Sequence, residues 1–181
     1  MKLKVSGFYI PLLLLILFLS FGCNSHQKAD YLIRVYEGEY DEIGVKNAYV
    51  NLSGDTIVAA GKYLYCYTDT LKTIGMVLKN NGQIAAIDKS GKELFEVFRY
   101  DNGPDYVSDG LFRIVDKGKI GYANMDGEIV ILPIFDCAYP FKNGKAKVSL
   151  NCKKTPENEH QIWESNKWYS IDKTGKKIKS D

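Results

Sequence analysis

The chain opens on an unbroken apolar stretch and then changes character. Val5 to Gly22, 18 residues, carries no charge and follows a short basic head with Lys2 and Lys4. A basic head, an apolar run and a small residue at its end describe a secretory signal peptide, residues 1–22. The same length lies near the lower limit for crossing a bilayer, so an uncleaved anchor is the alternative. After residue 30 no comparable run occurs. Apolar and polar positions instead alternate over short stretches, as in Tyr31-Leu-Ile-Arg-Val-Tyr36 and Lys145-Ala-Lys-Val148. Period-two alternation is the pattern of a half-buried strand, and it predicts an all-β body behind a leader.

The strands recur in register. Lys46-Asn-Ala-Tyr-Val-Asn-Leu-Ser-Gly54, Gln83-Ile-Ala-Ala-Ile-Asp-Lys-Ser-Gly91, Lys119-Ile-Gly-Tyr-Ala-Asn-Met-Asp-Gly127 and Lys167-Trp-Tyr-Ser-Ile-Asp-Lys-Thr-Gly175 align, each with Asn or Asp three residues before its glycine. Their glycines are 37, 36 and 48 residues apart. Asn or Asp at the first turn position bonds its own following amides, and glycine at the fourth supplies the positive φ of a bulged hairpin turn. Each segment therefore reads as a hairpin, with Lys119–Asn124 and Glu128–Leu132 as its strands in the third. Downstream, Gly110 and Gly144 each open a further strand after a tight turn. Three short strands per unit cannot bury a face alone and must stack on a neighbour. The expected fold is an array of three to four degenerate hairpin or meander repeats of about 36 residues, stacked as an open solenoid-like assembly. The wider last spacing places a polar insert at 153–165, with Lys153–Gln161 read as a loop.

Two resemblances follow from these residues. The Gly22-Cys23 junction resembles the lipobox of bacterial lipoproteins, although Ser20 and Phe21 depart from its usual Leu and small residue. That resemblance implies a lipid on Cys23, cleavage after Gly22 and a tether over 23–30; Asn24 after the cysteine implies the outer membrane. Lys167-Trp-Tyr-Ser-Ile-Asp-Lys-Thr-Gly-Lys176 and Gly118-Lys-Ile-Gly-Tyr-Ala-Asn-Met-Asp-Gly-Glu-Ile-Val-Ile-Leu-Pro-Ile-Phe-Asp136 resemble the bacterial WG-repeat (KWG) proteins. The naming Trp-Gly pair is Ile120-Gly121, Ile84-Ala85, Trp168-Tyr169 and Asn47-Ala48 here. This resemblance implies a β-rich repeat array over 31–181 and no catalytic residues, with Gly54, Gly91, Gly127 and Gly175 as structural turn residues.

Composition narrows the chemistry. Without Lys2 and Lys4 the chain balances at 22 basic against 22 acidic residues, which gives no electrostatic case for nucleic acid. Residues 142–181 nevertheless hold ten lysines against five acids, and 23–141 hold 12 bases against 17 acids. A basic C-terminal face suits an anionic partner, or simply keeps strand edges solvated. Cys66, Cys137 and Cys152 follow the leader; Cys137 and Cys152 pair across a hairpin or all three are small buried hydrophobes. His26 and His160 are the only histidines, no Cys-x-x-Cys occurs, and no metal or cofactor is expected. Asp88, Asp126 and Asp172 belong to turns, and the spacing of Asp101, Asp105 and Asp109 is wrong for a calcium loop. Trp168 falls at a repeat position and is expected in the core, whereas Trp163 in the insert is the candidate partner contact.

These readings converge on a lipid-anchored envelope protein that is not an enzyme and binds a protein or glycan through its repeat surface. The alternatives are an envelope glycan hydrolase with paired carboxylates, or an immunity or inhibitor protein.

Overall fold

The structure is a computed structural model that describes residues 30–38, 44–157 and 160–179. Cys23 and the tether before Asp30 lie outside the described residues. Among the described residues every regular element is a strand, and the repeat is visible as four three-stranded antiparallel units. The first comprises β1 (Leu32–Glu37), β2 (Lys46–Val50) and β3 (Thr56–Val58), followed by the short β4 (Tyr65–Cys66) and β5 (Thr70–Leu71). The second comprises β6 (Ile74–Leu78), β7 (Ile84–Asp88) and β8 (Glu93–Val97), followed by β9 (Arg99–Tyr100) and β10 (Gly103–Pro104). The third comprises β11 (Leu111–Asp116), β12 (Lys119–Asn124) and β13 (Ile129–Phe135), followed by β14 (Cys137–Ala138). The fourth is split: β15 (Lys145–Ser149) pairs with β18 (Tyr169–Asp172) and β19 (Lys177–Ile178), while β16 (Lys153–Glu157) and β17 (His160–Glu164) stand between them. Units two and three share one seven-stranded sheet through a β8–β11 pairing, and no sheet closes into a barrel.

The aligned Asn and Asp residues build four copies of one turn. The side-chain oxygens of Asn51, Asp88, Asn124 and Asp172 each accept from the amides two and four residues on, at 2.8–3.1 Å. Each glycine amide then donates to the carbonyl of its Asn or Asp, at 2.9–3.2 Å. Charge is matched at the fifth position, just after the glycine. Where the first residue is neutral it donates to an acid, Asn51 to Asp55 and Asn124 to Glu128, both at 2.9 Å. Where it is an aspartate the fifth residue is Lys92 or Lys176 instead. Hydroxyl donation from Ser90 and Thr174 is the main reason that Asp88 and Asp172 sit below the usual carboxylate range.

Stacking adds a second demand for glycine at two of these positions. A Cβ on Gly91 would meet Val58 Cγ2 at 2.8 Å, and one on Gly127 would meet Ile74 Cγ2 at 2.9 Å and Leu94 Cδ1 at 3.1 Å. Gly175 faces Ile131 at 3.5 Å, whereas Gly54, which has no unit before it, meets nothing within 4 Å. The turns at Gly91 and Gly175 thus rest on the third strand of the preceding unit, and the turn at Gly127 on the first and third strands of its own predecessor. All four have positive φ, so alanine carries a backbone cost of about 1–2 kcal/mol everywhere. Crowding adds to it only at Gly91 and Gly127. Chemical denaturation is expected to show Gly54→Ala losing about 1 kcal/mol and Gly91→Ala or Gly127→Ala about 2–3 kcal/mol. Equal losses at all three positions would contradict the stacking.

Three cores lie between the four units. Leu32, Tyr49 and Val58 pack with Val77, Ala85 and Ile87 between units one and two. Ile74, Met76, Ile84 and Ala86 pack with Phe112, Ile114 and Ala123 between units two and three. Tyr122, Ile131 and Phe135 pack with Ala146, Val148 and Ile171 between units three and four. The middle units are therefore buried on both faces, which is why β6 and β7 read as continuous apolar runs. The outer units bury one face, and β1 and β15 alternate.

Two expectations are corrected. The segment Lys153–Gln161 is not a loop: β16 and β17 pair antiparallel from Lys153↔Glu164 to Glu157↔His160. Pro156 disguised it, since proline reads as a strand breaker, yet a two-stranded ribbon with free edges tolerates a missing donor. The second strand of the third hairpin also runs to Phe135 rather than Leu132.

Candidate binding surface at the inserted hairpin

The insert is fastened at its base. Cys137 on β14 and Cys152 beside β16 form a disulfide, Cα to Cα 5.8 Å, across a sequence separation of 15. Beside it, buried Ser149 and Ser165 share a hydroxyl hydrogen bond of 2.8 Å, and Ser165 donates to the Asn151 carbonyl at 2.7 Å. Closing a loop of this length contributes about 3 kcal/mol through the unfolded chain. Reduction, or Cys137→Ser with Cys152→Ser, is expected to cost about that much in denaturant melts. Unchanged melts would show that the hairpin base is held by the serines alone. Among the described residues Cys66 is the free thiol; it is fully buried, and burial pushes it up to about 11.

So fastened, the hairpin lays aromatic rings against units three and four. Trp163 on β17 is half-buried on the third core, with Phe98 6.0 Å away edge-on and Tyr139 at 5.5 Å. Trp168, just before β18, also reaches Tyr139, at 5.4 Å. Tyr139 is held by its backbone: its amide donates to the Lys147 carbonyl at 2.9 Å and its carbonyl accepts from the Tyr122 hydroxyl at 2.6 Å. Tyr139 nevertheless remains 41% exposed. Both tryptophans of the chain therefore meet on one tyrosine. The sequence set Trp163 outside and Trp168 in the core; both are half-buried, and Trp163 packs on the core. Tyr139 carried no signal, because its partners lie on three separate segments.

Lysines complete the surface. Lys147 Nζ stands 5.0 Å from the Trp168 ring and Lys154 Nζ 5.8 Å from the Trp163 ring. Neither forms an ion pair among the described residues, while the nearby Lys119–Asp136 bridge closes at 2.6 Å. Burial pushes the Lys154 ammonium below its usual value; Asp136 opposes this and Lys119 adds to it. The Trp163 indole N–H is buried without an acceptor among the described residues.

The other candidate acids have structural work. Asp105 is buried against Arg113, Asp109 accepts from the Gly144 amide at 2.7 Å, and Asp101 takes a positive φ in a turn. No group of three metal-ligating side chains forms among the described residues. A recess of about 200 Å³ on β7 and β8 is lined by Glu93 and Glu96, which bond Lys79 and Gln83, each at 2.8 Å.

Residues 120–153 match the family model described as WG containing repeat. The match runs from β12 through β15 to the first residue of the inserted hairpin. No curated protein and no solved structure matches the chain.

Proposed function

We propose that this is a lipid-anchored protein of a bacterial envelope, held through Cys23, that works as a non-enzymatic binding module. Its repeat array serves as a rigid mount for a contact surface. The observation that carries the reading is the inserted hairpin. Among the described residues one unit alone interrupts its strands to carry a ribbon; it ties that ribbon down with a disulfide and leaves Tyr139 exposed in contact with two tryptophans. Core packing alone does not call for an aromatic left 41% exposed beside lysines that form no ion pair among the described residues. The disulfide is consistent with export, since such bonds persist in oxidising compartments. The basic head, apolar run and Gly22-Cys23 junction supply the address.

Two experiments test it. Cells fed a labelled fatty acid are expected to label the wild type and not Cys23→Ala; label on neither would remove the anchor. A photocrosslinker at Tyr139 is expected to trap an envelope component, and one at Lys117 in the β11–β12 turn is not. Identical products from both positions would remove the contact surface.

A further inference from the structure

We infer that Tyr139, Trp163 and Trp168 with Lys147 and Lys154 form a binding site for an acidic oligosaccharide, a chain of sugar rings bearing carboxylates. The inference rests on the binding-module reading and names its ligand class.

Three features of the surface select that chemistry. The first is the pairing of ring and charge: each indole has an ammonium within 6 Å, and neither ammonium has a carboxylate partner among the described residues. Sugar rings present C–H faces that lie on aromatic rings, while a ring carboxylate seeks a nearby ammonium. A uronate residue satisfies both with one unit, and a neutral sugar satisfies only the first. The second is access: Lys154 is exposed, so its ammonium is open to an anion arriving from solvent.

The third is shape. A peptide commonly docks by adding a strand to a free sheet edge. The edges of the sheet that carries Lys147 are β14 and β19, two residues each, too short to template one, and of the two free edges of the inserted ribbon β16 is interrupted by Pro156. The surface is a cluster of rings in which Tyr139 contacts both Trp163 and Trp168. A cluster of rings suits a polymer whose repeat unit is itself a ring.

Because both tryptophans of the chain sit here, intrinsic fluorescence reports the site directly. The full chain, solubilised in detergent, is titrated with oligogalacturonate, with neutral maltohexaose and with polyglutamate. The expected result is a saturable fluorescence change with oligogalacturonate and a response at least about tenfold weaker in affinity to the other two. Lys147→Gln with Lys154→Gln is expected to weaken oligogalacturonate about tenfold or more, Lys147→Arg with Lys154→Arg to retain binding, and Tyr139→Ala to weaken it. Denaturant melts confirm that each variant is folded. No response to oligogalacturonate overturns the inference. So does equal affinity for polyglutamate, which is charge alone, or for maltohexaose, which is stacking alone. An oligogalacturonate affinity untouched by the lysine substitutions overturns it as well. A protein crosslinked at Tyr139 with no uronate binding would overturn the sugar and leave the binding-module reading standing.

Discussion

Asp105→Ala is expected to destabilise the protein by about 3–5 kcal/mol, the cost of stranding one member of a buried ion pair. Asp105 and Arg113 are both buried, with side chains 0% and 4% exposed, and the carboxylate takes three bonds from one residue. Arg113 donates to it from Nη2 at 2.5 Å, from Nε at 2.9 Å and from its own amide at 2.8 Å. The remaining guanidinium nitrogen donates to the Ala138 carbonyl at 3.2 Å, and the group lies 4.1 Å from the Phe98 ring. With the carboxylate gone the cation has no route to water. Arg113→Met together with Asp105→Ala is expected to lose much less than the sum of the single changes, since an apolar replacement leaves no orphaned charge. Strict additivity in a denaturant double-mutant cycle would contradict the pairing.

The same device recurs two units earlier with a different exposure, and the contrast sharpens the expectation. Arg34 on β1 faces Tyr49 as Arg113 on β11 faces Tyr122. Both arginines donate to a carbonyl of the following connector, Arg34 to Cys66 at 2.5 Å and Arg113 to Ala138. Both tyrosines donate to connector carbonyls at 2.6 Å, and burial raises both hydroxyls so that they stay protonated donors. But the acid that meets Arg34 at 3.0 Å is Asp69, whose side chain is 62% exposed. Asp69→Ala is therefore expected to cost under about 1 kcal/mol.

How much of this was legible in the chain depends on the range of the interaction. The Asn/Asp-to-glycine spacing encodes a turn closed within five residues, so all four hairpins were readable, including the first, where the Trp-Gly pair is Asn47-Ala48. The all-β class and the stacking of short units followed from the same signal. The buried Arg–Tyr pairs were not legible. Arg34 and Tyr49 become neighbours only through strand register, and alternation gives the face of a strand but not its partner. The Tyr139 surface was hidden for the same reason: β14, β17 and the approach to β18 converge there from three places in the sequence. The pairing of Cys137 with Cys152 was open from spacing alone, because it needs β14 and the start of the insert side by side.

Gly121→Ala is expected to cost about 3 kcal/mol or more, although it adds a single methyl group. Between Ile120 and Tyr122 on β12 the partners on β13 jump from Phe135 to Ile131, so four residues of β13 span two of β12. The surplus, Leu132-Pro133-Ile134, arches over the glycine. A Cβ there would meet Ile131 O at 2.5 Å, Pro133 N at 2.6 Å and Leu132 C at 2.8 Å, all main chain. Main chain in a paired strand cannot step aside as a side chain can. Gly75→Ala is the control: its Cβ would meet Leu71 Cδ1 at 2.9 Å, the end of a flexible side chain, and about 1 kcal/mol is expected. The equivalents of Gly121 in units one and two are Ala48 and Ala85. At Ala85 the β7–β8 pairing proceeds through Ala85↔Glu96 with only a one-residue irregularity beyond it, so a methyl group fits. Glycine is thus demanded by the arch and not by the hairpin. If Gly121→Ala melted with the wild type while Gly75→Ala did not, the arch would not be present in solution.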